Sequence, residues 1–203
     1  MDKQYEKIFN QKAEYLEKAI LALQDYYNSS VFSGLSKPKW IANISLYALL
    51  LEYDLWIYMC NYDYSNRKFV KTSFARSTCV AIVESTEDIL QLMGKEYQDF
   101  YSSVIDVESL CKSALNLRKK IVIFKNENEK QFRDIRNYTL AHRENNVIKQ
   151  VEILTKINVH QLMDKCMSYL NLIEELHLIL NDSIKYISLK MSENDYNFIE
   201  KLK

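Results

Sequence analysis

Two glycines and one proline in 203 residues are too few to reverse a chain of short strands, because tight β-turns draw on residues that accept positive φ or have φ pre-set. A sheet protein is excluded on that ground, and long helices joined by few turns are expected. The four cysteines, Cys60, Cys79, Cys111 and Cys166, lie far apart. They have neither the paired spacing of a zinc site nor the density of a secreted disulfide scaffold, so they read as reduced residues of a core. Net charge is missing as well. The 27 basic and 27 acidic residues cancel, which removes bulk attraction to nucleic acid or anionic lipid. The first residues, Met1 to Phe9, carry charges at Asp2, Lys3, Glu6 and Lys7 with no apolar run behind a basic cluster. No secretory signal is read there, and a cytoplasmic location is expected.

What the chain does have is apolar material: 48% of its residues are hydrophobic and 12% aromatic, enough to offset the entropy of ordering a core. The expected architecture is an all-α bundle of about five main helices forming one domain over 1–203, with a core unit over about 5–184 and a tail over 185–203. The first helix spans about Lys3 to Asn28, with Tyr5, Ile8, Phe9, Tyr15, Leu16, Ala19, Ile20 and Leu23 at three-to-four spacing. Ser29 to Pro38 holds Gly34 and the single proline and reads as a connection. A second helix follows from Trp40 to about Asn61, and a third from Phe69 to Met93, stopped at Gly94. Asp99 to Val107 reads as irregular. A fourth helical region then runs towards Arg143, with a break expected at the polar stretch Asn126 to Lys130. The β-branched Val147 to Ile157 suits a brief strand or extended linker. Asn158 offers an N-cap to a last helix from Val159 to about Met191, with a further short helix in the tail.

The second helix is long and apolar enough to suggest a membrane span, but Glu52 and Asp54 lie within it, and each carboxylate at mid-membrane costs about 2.5 to 3.5 kcal/mol on insertion scales. A buried central helix is the better reading. Two positions apart on a helix is about 200° around its axis, so the two carboxylates cannot both face the middle of one solvent face. A cationic or hydrogen-bonding partner is expected for at least one. Glu84, Glu87 and Asp88 fall on one face of the third helix without a neighbouring histidine in sequence, which reads as a solvated acidic face and not as a metal site.

Charge is uneven along the chain. Arg118 to Lys149 contains nine Lys or Arg against four Asp or Glu, an excess of five that suits either a polyanion or a solvated helix face. Inside it lies the one stretch with chemistry in it. Of the three histidines, His160 sits in the first turn of the last helix and His177 beside that helix's apolar stripe, both ordinary structural places. His142, however, is preceded by Arg136 and Asn137 and followed by Arg143. Imidazole transfers protons near neutral pH, and guanidinium grips a phosphate through two hydrogen bonds. These are the parts of a metal-independent phosphodiester cleavage.

Five residues separate Arg136 from His142, and the stretch Phe132 to Glu144, FRDIRNYTLAHRE, resembles the motif region of the HEPN superfamily. Its nuclease members carry arginine, four to six residues, then histidine, often with a polar residue after the arginine. The resemblance implies a helical bundle that cleaves RNA by attack of the ribose 2′-hydroxyl on the adjacent phosphate, without metal or cofactor. His142 would be the general acid or base, and Arg136 would stabilise charge on the phosphoryl oxygens. Asn137 would orient substrate or partner. To this we add that Tyr138 and Arg143 suit stacking and phosphate contact. Also implied are a toxin–antitoxin or anti-phage setting, an antitoxin or nucleotidyltransferase partner, and a homodimer with two motifs facing one cleft. The alternative within the same resemblance is a non-catalytic module that binds a nucleotide or a protein. Six positions along an ideal helix rotate by about 600°, so Arg136 and His142 would point about 120° apart on one straight helix. Either the helix ends between them or a second copy completes the site.

Overall fold

A computed structural model describes residues 3–32, 36–105, 107–137 and 147–201, and every regular element among them is helical. Five long helices form the frame: α1 (Lys3–Phe32), α2 (Ser36–Tyr64), α3 (Lys68–Leu92), α5 (Glu108–Arg136) and α7 (Val159–Lys201). Two short ones, α4 (Lys95–Phe100) and α6 (Val147–Lys156), and a π-helical turn over Tyr101–Ile105 lie between them. The all-α bundle of about five main helices is therefore observed.

α2 is the central helix. It packs on α1, α3 and α7, while α5 packs on α3 and α7. Ile41, Ala48, Leu55 and Met59 run along its buried side at helical spacing, and Leu16 of α1, Ile82 of α3, Leu117 and Ile121 of α5 and Leu170 and Ile173 of α7 are buried with them. Among the described residues no helix is long and apolar enough to cross a membrane, α2 included. Cys60, Cys79 and Cys166 are buried and Cys111 half-buried, and none of the four is in a disulfide. The Cys79 thiol is pushed far up in pKa, first by its hydrogen bond with Cys166 and then by burial, which makes it a poor nucleophile.

Gly94 ends α3 as expected. Its N–H donates to the Gln91 carbonyl at 3.0 Å, and a Cβ at this position would stand 2.8 Å from that oxygen, so a side chain would force the backbone apart. Asn158 caps α7, its Oδ1 accepting from the Gln161 N–H at 3.2 Å.

Several boundaries differ from expectation. Val147–Lys156 is helical, not extended: the β-branched residues at 147, 148, 151, 153 and 155 lower helix propensity by only tenths of a kcal/mol each. Of that helix, Ile148 is 74% exposed. The break expected at Asn126 to Lys130 is absent. Asn128 is buried and its side-chain amide donates to the Phe124 carbonyl at 2.9 Å, which satisfies the polar group within the continuing helix. The irregular piece after Asp99 is the end of α4 and the π turn. The connection near Pro38 is shorter than read, since α2 begins at Ser36 and proline is tolerated in a first turn, where its missing N–H has no intrahelical acceptor. The tail adds no separate helix, because α7 continues to Lys201.

Candidate functional site

The basic segment is used chiefly to fasten α5 to its neighbours. Arg118 donates through Nε to the Met93 carbonyl at 3.0 Å, and Lys120 reaches Glu175 of α7 at 2.8 Å. Arg133 lies between Glu129 on its own helix, 2.7 Å from Nε, and Glu87 of α3, which its Nη2 also contacts. The hydrogen bond Arg133 donates to Glu129 and the charges of both carboxylates hold its pKa above the ordinary value. Lys125 stands 3.8 Å from Glu87. Five of the seven positive side chains described in this segment thus have partners within the fold, including Arg136.

The acidic face of α3 is solvent-exposed, as read, and also carries partners. Glu84 and Glu87 meet α5 cations, and Asp88 accepts from the Tyr47 hydroxyl at 3.0 Å. Burial, followed by this hydrogen bond, pushes the Tyr47 pKa up. Neither set of partners is visible in the spacing of the acids, because it depends on which helices lie side by side.

Arg136 is the last residue of α5. Its side chain is 30% exposed, and Nη2 donates to Glu84 Oε1 at 3.1 Å, with the Glu84 side chain 56% exposed. Asn137 follows in right-handed helical conformation, φ −64° and ψ −43°, with its side chain in solvent. Tyr138, His142 and Arg143 lie outside the described residues, as does the rest of the 138–146 segment. The structure therefore locates Arg136 and Asn137 at one end of α5.

Glu84 also lines a groove of about 490 Å³ between α2 and α3, together with Asp54, Asp88, Tyr47 and Tyr58. Three carboxylates give that groove a negative field, and burial raises the pKa of Asp54. A phosphate backbone is repelled from such a surface.

A second polar constellation lies among α1, α2 and α7. Glu52 is 4% exposed at its side chain, and His177 is 11% exposed. His177 Nδ1 is 2.9 Å from Glu52 Oε2, and Lys12 Nζ is 3.2 Å from Glu52 Oε1 while also contacting Glu174. Burial by itself would raise the Glu52 pKa; the His177 hydrogen bond and the Lys12 charge outweigh it and hold this carboxyl below its usual value. The partner expected for one of the two α2 carboxylates is thus double. His160 is less committed, its Nδ1 3.4 Å from the Tyr62 hydroxyl at the start of α7. Sequence spacing missed the role of His177, since its partner lies 125 positions away; the only signal was an acid inside an apolar helix.

Comparison with protein families, with characterised proteins and with solved structures gives no match for this chain.

Proposed function

We propose that this chain is a metal-independent endoribonuclease of HEPN type, cleaving RNA by attack of a ribose 2′-hydroxyl on the neighbouring phosphorus. The observation that carries the reading is the motif Arg136, Asn137 and His142 in a basic segment, with Arg136 at the exposed end of a long helix. As the P–O5′ bond breaks, negative charge collects on the phosphoryl oxygens, and a guanidinium stabilises it through paired hydrogen bonds. The 2′-hydroxyl proton must leave and the 5′-oxygen must gain one, which is the task of His142.

Glu84 holds Arg136 in the free protein, and this contact does not oppose the reading. An ion pair this exposed contributes roughly 0 to 1 kcal/mol, so a phosphate that offers two oxygens to the same guanidinium can replace it. Tyr138 and Arg143 would add stacking and phosphate contact, and a homodimer would set two motifs across one cleft. The setting that goes with this reading is cytoplasmic, in a toxin–antitoxin or anti-phage system.

The test is incubation of the pure protein with mixed RNA in chelator, alongside His142→Ala. Cleavage by the native chain and its loss in the variant is the expected result. Activity that disappears in chelator and returns with a divalent ion would contradict the mechanism. Binding of RNA without cleavage by either protein would favour the non-catalytic module.

A further inference from the structure

The groove of about 490 Å³ between α2 and α3 adjoins a second of about 570 Å³, where Trp40 and Asn43 of α2 face Gln91 and Leu92 of α3 and Lys95 and Glu96 of α4. Tyr47 and Asp88 line both, and their 3.0 Å hydrogen bond marks the waist between the two. Trp40 shares the second chamber with Lys95, and Tyr58 shares the first with Ser77, so α2 and α3 run antiparallel past each other. Followed along α2 from Trp40 to Tyr58, the combined groove is about 27 Å long, or five helical turns.

Its walls have the repeat that a third helix needs. On α2 the lining residues Trp40, Asn43, Tyr47, Leu50, Asp54 and Tyr58 step by three and four, and on α3 so do Ser77, Ala81, Glu84, Asp88 and Gln91. Side chains of a helix laid between two such rows seat in the holes that the rows leave. Nor is the composition that of a wholly polar face. Leu50 is 50% exposed, Trp40, Tyr47 and Tyr58 are only half-buried, and Val80, Ala81 and Leu92 add apolar surface from α3. Half-covered aromatic and leucine side chains in a groove are the anchors of helix-in-groove recognition.

Charge selects the occupant. The lining carboxylates are Asp54, Glu84, Asp88 and Glu96, against the one lining cation Lys95. Arg136 reaches Glu84 from α5 at 3.1 Å, and the groove stays negative with that charge included. Asp54 lies seven positions after Tyr47, which puts it level with Ala81, seven positions before Asp88. Asp54, Glu84 and Asp88 therefore follow one another at about 4.5 and 6 Å along the axis, close to one helical pitch. From this juxtaposition we infer that the groove docks a basic amphipathic helix of a protein partner, its apolar stripe on Trp40, Tyr47, Leu50 and Tyr58 and its Lys or Arg, one per turn, facing Asp54, Glu84 and Asp88. A second copy of this chain, docked groove to groove about a twofold axis, would set like charges against each other. The inference does not depend on the nuclease reading.

The probe is a synthetic helix of about 20 residues with Leu at three-to-four spacing and Lys on both sides of that stripe. A second peptide has Glu for every Lys, and a third has the composition of the first in an order without the stripe. Each is titrated calorimetrically into the full chain and into Leu50→Lys and Leu178→Lys, which add the same charge in the groove and on α7 outside it. These leucines are 50% and 62% exposed, so both variants should keep the native circular dichroism. The striped basic peptide is expected to bind one-to-one with Kd below about 0.1 mM, and the other two at least about tenfold more weakly. Leu50→Lys should weaken it at least about tenfold and Leu178→Lys less than about twofold, with Asp54→Asn, at an exposed position, a few-fold weaker as a second variant. Absence of saturation by the striped basic peptide, equal binding of either other peptide, or an equal response of the two lysine variants overturns the inference. So does a dimer by sedimentation that Leu50→Lys dissociates, since a second copy would then fill the groove.

Discussion

The two charge networks use the same kinds of side chain and differ in their solvent. Between α3 and α5, Arg136, Arg133 and Lys125 meet Glu84 and Glu87 at the surface, where side chains are 27% to 56% exposed. Among α1, α2 and α7, Glu52 meets Lys12 and His177 with the carboxylate 4% exposed and the imidazole 11%. Water competes with every contact of the first network and with few of the second. The difference assigns them different work: the outer network is exchangeable and suits a residue that must leave its partner for a substrate, while the inner one fixes an orientation and is expensive to break.

The largest effect should come from the inner network. Glu52→Ala leaves His177 and Lys12 without the carboxylate that both contact, and removing one partner of a buried ion pair costs about 3 to 5 kcal/mol. Denaturant unfolding should show that loss; a change under about 1 kcal/mol would place Glu52 in the exposed class. The next effect is its pH dependence. Because the folded carboxyl titrates below 4.5, its contribution is fully present above that value and is lost as pH falls through the folded pKa. The stability gap between the native chain and Glu52→Gln should therefore be flat above about pH 5.5 and narrow in acid, where an unchanged gap would show that the charge is not what stabilises.

Smaller still is the outer network. Arg133→Ala should cost no more than about 1 kcal/mol and lose even that in high salt, measured by the same unfolding curves. The smallest structural change with a functional readout is Glu84→Gln. It leaves Arg136 without its anionic partner, so it should leave stability nearly unchanged and tighten RNA binding a few-fold at low salt. Weaker RNA binding in that variant would mean that Glu84 positions Arg136 and does not merely occupy it.

How far the sequence spoke can be argued from the same two regions. The helices were legible because apolar residues recur at three-to-four spacing, and the ends at Gly94 and Asn158 because each carries a local device. Glu52 was legible as an acid in need of a partner, since an isolated carboxylate on an apolar helix has few other readings. Its partners were not, because Lys12 lies 40 positions before it and His177 125 after, and nothing local couples them. The cationic partners of the α3 acids were illegible for a related reason. An i, i+3, i+4 row looks the same whether it faces water or a cationic helix, and only the docking of α5 decides. Val147 to Lys156 was misread because β-branching is a weak preference that a ten-residue amphipathic pattern overrides. The candidate catalytic stretch was legible as chemistry through the types and spacing of Arg136 and His142, whereas their meeting depends on distances that no spacing contains.

The central claim concerns that stretch, and the ends left on RNA test it most directly. A defined oligonucleotide is incubated with the native chain in chelator, and its fragments are identified by mass. Attack by the 2′-hydroxyl predicts a 2′,3′-cyclic phosphate on one fragment and a 5′-hydroxyl on the other, with no fragments from His142→Ala or Arg136→Ala. Fragments ending in 3′-hydroxyl and 5′-phosphate, or equal cleavage by the two variants, would contradict it.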